Sequence, residues 1–545
     1  MPHALAHVLV SRGLDTRDKV ESFLDLSLTR MISPFDLSYM EEACQVIVAA
    51  IKDNQKILIH GDFDADGITA SALFSLFFEK IGYPVDVYIP NRLQENHGIS
   101  RVAVEKAIHE KYGLLITCDC GSHCHGPISE LIQNGVRVIV TDHHHVGDPL
   151  PDGALLINPQ QNRNQSHMEE LAGVGVVFLT IMALRKKLRE IAFFQDVVEP
   201  NLKSFVDIVA LGTIADLAPI WGMNRILVAQ GLEVMQRQPQ IGIDALKMAG
   251  GLTDTVSVNS LDVGFKIAPK INAAARLGYA DQAFALLTCQ DQDQAHLISQ
   301  RLLQYNKERQ SKQEKMFSQA YPEAARQVEA GHHVLVVASE SFHPGIIGLL
   351  AQKISQVFAR PVFAFALEGE MARGSARSPE GYHLVQLMDE VSALLGAYGG
   401  HAQAGGCSVA VRDLQEFTSL LQDAFRKQFA GQPRVEKWVD STLDLTELNT
   451  LFFEKLDVLR PFGKGYPYPV FETEAEIVGK AFEVGQNHLK CKVKDRNGRI
   501  LDGIAFDQYS AWKDQLRGNR CLVVQPQLQY FRGAAQISLQ LLDFA

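Results

Sequence analysis

The chain has 545 residues, of which 46% are hydrophobic and 21% are charged, an ordinary composition for a globular protein. This length exceeds what a single hydrophobic core supports, so we expect about three or four domains. The net charge of −11 argues against a polycation that coats nucleic acid nonspecifically, although an enzyme with a local basic groove is still compatible with it.

The distribution of apolar residues and cysteines predicts a cytoplasmic protein without membrane association. We find no apolar run near the ~20 residues that a membrane span needs. Residues 1–16 lack the basic, apolar and small-residue regions of a signal peptide. The eight cysteines are mostly isolated and do not resemble a disulfide framework, which favours a reducing compartment.

The first half of the chain predicts an α/β domain that follows an N-terminal helical segment, residues 1–50. Short apolar runs alternate with helical stretches, which is typical of a doubly wound parallel sheet. The predicted strands are residues 56–61, 85–90, 114–119 and 136–144, and the predicted helices are residues 67–82, 100–112 and 127–134.

Three of the predicted strands end in polar clusters. These are HGDFDADG at residues 60–67, TCDCG at 117–121 and TDHHH at 141–145. Ligands of open α/β sheets bind beyond the carboxyl ends of the strands. The sequence therefore predicts that these three clusters converge on one site.

The second half of the chain predicts a long helix, a second α/β domain and a small β-barrel. Residues 471 onward form short alternating strands separated by turns, a pattern that suggests a barrel of the OB type. The predicted domains are a helical segment 1–50, an α/β domain 51–280, a connecting helix 281–330, a second α/β domain 331–428 and a barrel domain 429–545.

The segment HGDFDADG predicts a cation site. Its D-x-D-x-D-G spacing also opens a calcium-binding EF-hand loop, but position twelve, counted from Asp62, is Leu73 and not the required glutamate. Three clustered acids repel one another unless a cation offsets their charge. We therefore interpret Asp64 and Asp66 as ligands of two adjacent metals, with His60 as a nitrogen donor.

The segments TDHHH and DIVALGTIADLAPI supply further candidate ligands. Histidines in a row are often an exposed loop, but their position after a buried strand favours a ligand role. Asp216 lies in an apolar stretch, where an acid is costly unless it is paired or bound to a cation; a helix cap is the alternative.

Two metals held close together suit phosphodiester hydrolysis. The candidate ligands are His60, Asp64, Asp66, Asp119, His143, His144 and Asp216.

The DHH at residues 142–144, with HGDFDADG, TCDCG and GTIADL in this order, resembles the DHH phosphoesterase superfamily, and within it the bacterial single-strand-specific exonucleases. The resemblance extends over almost the whole chain through VSRGLDTRDKVESFL, IPNRLQENHGIS, PKINAAARLG, FHPGIIGLLAQKI, RGSARSPEG, YGGHAQAGG, RPFGKGYPYPVF and LDGIAFD. It implies a DHH domain, a long connecting helix, a DHH-associated domain and an OB domain that grips DNA. It also implies degradation of single-stranded DNA from 5′ to 3′ into 5′-mononucleotides, with two Mn²⁺ or Mg²⁺ ions, in DNA repair and recombination.

The resemblance also implies roles for individual residues. The catalytic metal ligands fall on Asp64, Asp66, Asp119, His143 and Asp216, while His60 and His144 match positions at or beside the metals in related enzymes. Asp142 would orient the histidines. The 5′-phosphate pocket falls on Arg92, Arg276, Ser375, the backbone of Ala376 in a Gly-Ser-Ala-Arg turn, and Arg377.

Three histidines match positions near the DNA cleft of the family, namely His97, His343 and His401. His97 replaces an aromatic residue that stacks on a base or sugar, so stacking at the 5′ end would be weaker. Lys270 and Ala275 replace a more common arginine and glycine. None of these departures removes a metal ligand.

The resemblance implies partners and leaves alternatives. Expected partners are single-stranded DNA, single-stranded-DNA-binding protein, and a RecQ-type helicase or RecBCD-independent recombination proteins; the protein is expected to be a monomer. One alternative is a phosphodiesterase of short RNAs or cyclic dinucleotides, which the length and the barrel argue against. Another is a noncatalytic scaffold in replication, but relatives of that kind lose metal ligands.

Residues 116–127, ITCDCGSHCHGP, raise the alternative of a zinc site. The spacing of Cys118, Cys120, His123, Cys124 and His125 departs from structural zinc sites, and no second pair of ligands lies nearby. If the strand continues to this point, alternation turns both flanking cysteines away from Asp119. We therefore interpret the segment as a strand end that delivers Asp119 to the metals, with cysteines that are liable to oxidation.

Overall fold

The structure is a computed structural model that describes residues 2–147, 149–161, 168–253, 257–429, 438–531 and 534–545. The chain forms two compact units, one of residues 1–32, 217–230 and 437–545, and one of residues 33–216 and 231–436. Within the described ranges, no helix combines the length and the apolar character that crossing a membrane requires.

The first sheet is parallel and has the strand order β2-β1-β3-β4-β5. Its strands are β1 (Ile57–Gly61), β2 (Asp86–Tyr88), β3 (Leu114–Cys118), β4 (Arg137–Thr141) and β5 (Leu155–Ile157). β1 and β3 are buried along their whole length, as expected of strands covered on both faces. The predicted doubly wound parallel sheet is confirmed.

Helices cover both faces of this sheet. One face packs against α4 (Ala65–Lys80) and α7 (Gly173–Glu190), and the other against α5 (Arg101–His109) and α6 (His125–Gln133). The strand order reverses direction between β1 and β3, so the loops after these two strands border a crevice. Such a switch point is the usual ligand site of an open α/β sheet.

Further helices extend the domain beyond the sheet. They are α8 (Val206–Ala215), α10 (Ile241–Ala249), α11 (Ser260–Asp262), α12 (Ala268–Arg276) and α13 (Ala280–Leu287), with a π-helical turn at Val263–Ile267. Helix α9 (Gly222–Arg237) belongs to this unit from residue 231 onward. The connecting helix α14 (Gln292–Glu329) is about 57 Å long at 1.5 Å per residue. It begins later than the predicted residue 281, because the Asp291 side chain caps its N-terminus by accepting the Gln294 N–H at 2.8 Å.

The second sheet is mixed, with the order β6-β7-β8-β10-β9. Its strands are β6 (Leu335–Ser339), β7 (Val362–Glu368), β8 (Met371–Arg377), β9 (Leu395–Gly400) and β10 (Ala404–Ala410). The accompanying helices are α15 (Ile347–Phe358), α16 (Leu384–Glu390) and α17 (Leu414–Gln428). Separate apolar clusters line the two faces of β7, so this domain has a core on each side of its sheet.

The C-terminal domain is a closed barrel, as predicted. β12 pairs with β13 and β15, β13 with β14, β14 with β16, and β16 with β15, which closes the ring. The elements are β11 (Ser441–Thr442), α18 (Thr450–Asp457), β12 (Phe471–Val484), β13 (His488–Lys494), β14 (Ile500–Ala505), α19 (Tyr509–Trp512), β15 (Gly518–Phe531) and β16 (Ala534–Phe544). Five strands closed in this way are typical of an OB fold.

The N-terminal segment, residues 1–50, is divided between the two units. Its helices are α1 (His3–Ser11), α2 (Arg17–Leu24) and α3 (Met40–Lys52). The apolar faces of α1 and α2, including Leu5 and Phe23, join the apolar core of the barrel domain, whereas α3 packs against α7. The structure therefore groups these helices by the core they complete, and not by their order along the chain. Short 3₁₀ turns lie at Leu28–Arg30, Pro34–Asp36, Phe193–Gln195, Leu202–Phe205, Ser392–Leu394, Val411–Asp413 and Leu445–Glu447.

Candidate metal centre and adjoining cleft

The loop after β1 and the first turn of α4 contribute three carboxylates, Asp62, Asp64 and Asp66. Asp64 caps α4, because its Oδ1 accepts the N–H groups of Asp66 at 3.0 Å and Gly67 at 3.2 Å. Asp66 is buried and accepts the N–H groups of Gly173 (2.6 Å) and Val174 (2.9 Å) at the start of α7. A helix N-terminus therefore holds this carboxylate in place.

Asp119 follows β3 with a left-handed backbone, φ +63°, so the strand ends at Cys118. This turn directs the buried Asp119 side chain toward the start of α7. A Cβ on Gly173 would lie 2.6 Å from Asp119 Oδ1, so only glycine permits this close approach.

The turn after β4 is organised by Asp142. This buried carboxylate accepts the backbone N–H groups of Ser122, His143 and His144 and contacts His144 Nδ1 at 2.7 Å. Burial alone would raise the pKa of Asp142, but the contacts with His144 and Ser122 outweigh it and hold the pKa below its usual range. The same contact raises the pKa of His144 to about 9. Asp142 thus has the geometry of the orienting residue that was expected there.

Asp216 lies at the C-terminal end of α8. It occupies the C-terminal cap position of this helix, so its place in the chain agrees with the helix-cap alternative considered for this residue. An acid at a helix C-terminus faces the negative end of the helix dipole, which is unfavourable without a compensating cation.

The carboxylates and histidines from these four elements form three overlapping groups, in each of which the potential ligand atoms lie within 4.8 Å of one another. His143 Nε2 is central, at 3.1 Å from Asp119 Oδ1 and 3.9 Å from both Asp66 Oδ2 and Asp216 Oδ2. The groups are Asp62, Asp64 and Asp119; Asp66, His143 and Asp216; and Asp119, His143 and His144.

The protonation of this cluster reflects crowded buried acids. Burial, followed by repulsion from the neighbouring carboxylates, raises the pKa of Asp66 and of Asp119 well above the usual range. Burial also lowers the pKa of His143 to about 4, so its imidazole is neutral and can donate a nitrogen lone pair.

The cluster suits divalent cations. Asp62 Oδ1, Asp119 Oδ1 and His143 Nε2 are buried, and none makes a hydrogen bond of good geometry among the described residues, although the last two atoms lie 3.1 Å apart. Buried polar atoms without partners are costly, and cations that accept oxygen-rich ligands would satisfy them. Carboxylates with few imidazoles match the preferences of Mn²⁺ and Mg²⁺.

Asp62 and His60 differ from the sequence-based ligand set. Asp62 belongs to the first group, although only Asp64 and Asp66 were selected from its loop. His60, in contrast, is buried in β1, where its Nε2 accepts the Ser100 N–H at 3.0 Å and its Nδ1 lies 3.6 Å from Cys120 Sγ. Its ring nitrogens therefore face protein groups, and His60 lies outside the three groups.

The cysteines of residues 116–127 do not join a metal-binding group in the part of the chain that the structure describes. Cys118 and Cys120 are buried, and burial raises the pKa of both thiols. Cys124 Sγ accepts the Ile99 N–H at 3.2 Å. The geometry supports the interpretation of this segment as a strand end that positions Asp119.

A cleft of about 1130 Å³ adjoins the carboxylate cluster. Asp64, Asp66 and Asp216 line one end, and the second sheet and α15 line the other. Four arginines also line the cleft, Arg92 and Arg276 from the first domain and Arg373 and Arg377 from β8. The cleft therefore joins a site for cations to a site for anions.

The arginines of the cleft repel one another. Burial, followed by repulsion from Arg92 and Arg377, lowers the pKa of Arg276 to about 9. Arg276 Nη1 donates to the Gly345 carbonyl at 3.2 Å, and the Arg92 guanidinium lies 4.9 Å from the centre of the Phe63 ring. No ion pair of Arg92, Arg276 or Arg377 occurs among the described residues, which favours an anionic ligand.

The predicted Gly-Ser-Ala-Arg turn is wrong, because these residues form the second half of β8. β8 lies between β7 and β10, and Ala376 is paired with Phe363 on one side and Gly405 on the other. Its backbone is therefore engaged in the sheet and does not offer free N–H groups. Ser375 and Arg377 instead project from β8 into the cleft.

Two of the three predicted cleft histidines line the cleft, His97 and His401. His97 is 73% exposed and its ring centre lies 4.5 Å from that of Phe63. Its Nδ1 also lies 3.6 Å from Asp62 Oδ2, at the edge of the metal centre. His343 is not among the lining residues; its Nδ1 accepts the Gly345 N–H at 3.2 Å.

Sequence reasoning missed Asn272, which also lines the cleft. Its Oδ1 accepts the Ala65 N–H at 3.2 Å, so it ties α12 to the start of α4 beside the carboxylates. It lies one helical turn before Arg276 in the motif PKINAAARLG, so the spacing of the two residues was the available signal.

Three family models match the chain. The DHH family N-terminal domain matches residues 56–213, the DHHA1 domain residues 331–427, and the RecJ OB domain residues 439–543.

Relatives match over nearly the whole chain. The single-stranded-DNA-specific exonuclease RecJ of Dickeya dadantii is 33% identical over 99% of this chain and 95% of its own length. RecJ of Haemophilus influenzae is 33% identical over 96% of this chain and 93% of its own length. RecJ of Bacillus subtilis is 31% identical over 95% of this chain and 65% of its own length. The crystal structure of Thermus thermophilus RecJ with Mn²⁺ superposes with a TM-score of 0.84 at 28% identity, over 99% of this chain and 76% of that one.

Proposed function

This chain belongs to the RecJ family, and on that premise we propose that it is a metal-dependent exonuclease specific for single-stranded DNA. We propose further that it degrades DNA from 5′ to 3′ and releases 5′-mononucleotides. The observation that carries the proposal is the cleft that joins the Asp–His cluster to arginines for which the described residues supply no ion pair. Mn²⁺ and Mg²⁺ are present in the structures of Thermus thermophilus RecJ.

The metal centre would be held by residues from four elements. The ligands would be Asp62, Asp64, Asp66, Asp119, His143 and Asp216, with His144 beside them. A pair of divalent cations at this position supplies Lewis-acid stabilisation for phosphodiester hydrolysis. Asp142 keeps the histidine turn in place, and the N-terminus of α7 keeps Asp66 in place.

The arginines would determine which end of the strand is cut. Arg92, Arg276 and Arg377, with Ser375, would bind the 5′-terminal phosphate through charge-assisted hydrogen bonds. With the terminal phosphate fixed there, the next phosphodiester along the strand would lie beside the carboxylates. Each cut would therefore release one nucleotide. Exposed His97 would contact the terminal sugar or base.

Digestion of end-labelled strands tests this proposal. Long single strands carrying a label at the 5′ or the 3′ end, with or without a 5′ phosphate, are incubated with Mn²⁺ or Mg²⁺. We expect immediate release of the 5′ label as a mononucleotide, late release of the 3′ label, and slower cleavage without the 5′ phosphate. Cleavage of dinucleotides alone would instead support the phosphodiesterase alternative, and metal binding without any cleavage would support the scaffold alternative.

We also propose a cytoplasmic role in DNA repair and recombination for the protein as a monomer. Its partners would be single-stranded-DNA-binding protein and a RecQ-type helicase or RecBCD-independent recombination proteins. The support is membership in the RecJ family, since a single-strand-specific enzyme requires unwound DNA.

A further inference from the structure

The cleft extends past the proposed 5′-phosphate site along β8. Exposure alternates along this strand, and Arg373, Ser375 and Arg377 share the face that lines the cleft. Side chains two residues apart on a strand are spaced about 6.6 Å. Arg373 therefore continues the row formed by Ser375 and Arg377, one step farther from the proposed phosphate pocket.

Open space lies beside this row of side chains. The residues that pair with it on β10 are small: Ala404 faces Arg377, Gly406 faces Ser375, and Ser408 faces Arg373. A Cβ added to Gly406 would find its nearest atom only at 3.9 Å. The face of the sheet next to the arginine row can therefore accommodate a ligand.

Arg373 has no internal counter-ion. Among the described residues, no hydrogen bond or ion pair involves its guanidinium, and its charge acts against that of Arg92. Glu368 lines the same end of the cleft but is exposed, at the end of β7 opposite Met371. A guanidinium that lines a cleft without a partner is suited to bind a phosphate.

The charge of the arginine group exceeds what a terminal monophosphate offers. The four arginines of the cleft carry four positive charges, whereas a phosphate monoester carries about −2 at neutral pH. The carboxylates nearest to Arg92, Asp62 and Asp64, belong to the proposed metal centre. A triphosphate end adds two further phosphate groups and would balance the arginines more fully.

We propose that the protein also accepts strands that begin with a 5′-triphosphate, and that Arg373 binds the outer phosphates. This inference rests on the proposed function and extends its substrate class to DNA single strands whose 5′ end carries a triphosphate. Arg92, Arg276 and Arg377 would bind the innermost phosphate as they bind a monophosphate.

The first cut on such a strand has a distinctive product. Water adds to the phosphorus between the first and second nucleotides, and the bond from this phosphorus to the 3′ oxygen of the first nucleotide breaks. The 3′ oxygen takes a proton, so the first nucleotide leaves as a nucleoside 5′-triphosphate and the remaining strand keeps a 5′ phosphate. No anhydride bond breaks, and later cuts release monophosphates.

The test uses the full chain with Mn²⁺ and two DNA single strands of the same sequence. One strand starts with a triphosphate labelled at the γ phosphate, and the other starts with a labelled monophosphate. We expect the γ label to leave as nucleoside triphosphate. In Arg373→Ala we expect the ratio of kcat/KM for triphosphate over monophosphate strands to fall about 10-fold, chiefly through KM. Arg373→Lys, which keeps the charge, should recover part of this ratio.

Arg412→Ala is the matched control, because Arg412 is 88% exposed and lies outside the residues that line the cleft; its ratio should equal that of the wild type. Release of the γ label as phosphate or pyrophosphate, resistance of triphosphate strands, or an unchanged ratio in Arg373→Ala would each overturn the inference. Resistance of monophosphate strands as well would overturn the proposed function itself.

Discussion

Two groups of buried charges in this protein are built in opposite ways. In the barrel unit, Arg225 is 2% exposed, and its guanidinium donates to the carbonyls of Pro461 (2.8 Å), Leu459 (2.9 Å) and Arg460 (2.9 Å). It also lies 3.8 Å from the centre of the Phe23 ring. In the metal centre, by contrast, buried carboxylates and an imidazole nitrogen lack hydrogen-bond partners among the described residues.

The difference separates a structural charge from a functional one. Arg225 connects three segments that are distant in sequence, and its hydrogen bonds are completed within the protein, as stability requires of a buried charge. The carboxylates of the Asp–His cluster repel one another, and a bound cation would offset this repulsion. Whether a buried polar group has its hydrogen-bond partners within the protein therefore distinguishes a structural charge from a functional one, without reference to relatives.

The largest expected effect is that of Asp119→Asn. We expect kcat to fall about 10³-fold or more, because the carboxylate shared by two of the groups is lost. Asparagine tolerates the left-handed backbone at this position, so the fold should remain intact. Without metal the variant should be at least as stable as the wild type, because one repelling charge is removed.

Thermal unfolding with and without Mn²⁺ checks this separation of activity from stability. The wild type should gain about 2.7 kcal/mol when Mn²⁺ is present at 100 times its dissociation constant, and the variant should lose most of this gain. Asp53→Asn, a change of an exposed acid, is the control and should match the wild type. An inactive variant that still gains full stability from Mn²⁺ would contradict the assignment of Asp119 as a ligand.

The second prediction concerns Arg225→Met. The free energy of unfolding should fall by about 3 kcal/mol or more, because buried carbonyl oxygens lose their donors. The three tryptophans of the chain, Trp221, Trp438 and Trp512, all belong to the barrel unit, so their fluorescence during urea unfolding reports on it.

Arg237→Met, on the exposed side of α9, is the matched control and should change the unfolding free energy by less than about 0.5 kcal/mol. Mn²⁺ affinity should be the same in the Arg225 variant and the wild type, because the ligands belong to the other unit. A large loss of Mn²⁺ affinity in Arg225→Met would remove the distinction between the two charge groups.

Much of the metal centre could be predicted from sequence because three of its four ligand segments follow buried strands, whereas Asp216 follows a helix. The predicted strand at residues 56–61 is Ile57–Gly61 in the structure, and that at 114–119 is Leu114–Cys118. An apolar run followed by acids is a local pattern that short windows reveal. Asp62 was overlooked, and His60 was selected, because spacing alone does not show which side chains of one loop face the crevice.

The strand that carries Arg373 and Arg377, and the structural role of Arg225, could not be derived from such local patterns. RGSAR contains small and charged residues without an apolar alternation, so it suggested a turn, while its pairing with β7 and β10 makes it a strand. The role of Arg225 depends on carbonyl oxygens more than 200 residues away. Contacts at such separations leave no periodic signal in a single sequence.

The third and smallest effect is expected for Gly173→Ala, which tests how closely the metal centre is packed. The new Cβ would lie 2.6 Å from Asp119 Oδ1 and 2.7 Å from Asp119 Cβ, so either α7 or this carboxylate must shift. The Gly173 N–H also donates to Asp66 Oδ2, so a shift of α7 moves a second ligand. We expect Mn²⁺ affinity and kcat/KM to fall about 10- to 100-fold, the usual cost of disturbing the groups that orient metal ligands.

Gly175→Ala in the same helix is the matched control. Its Cβ would meet only the end of the Leu171 side chain at 3.0 Å, which can move aside, so activity should stay within about 2-fold of the wild type. Mn²⁺ titration of both variants, followed by activity and by thermal shift, measures the difference. Equal behaviour of the two variants would mean that the unpartnered carboxylates tolerate displacement, and that the centre depends on its charge more than on its geometry.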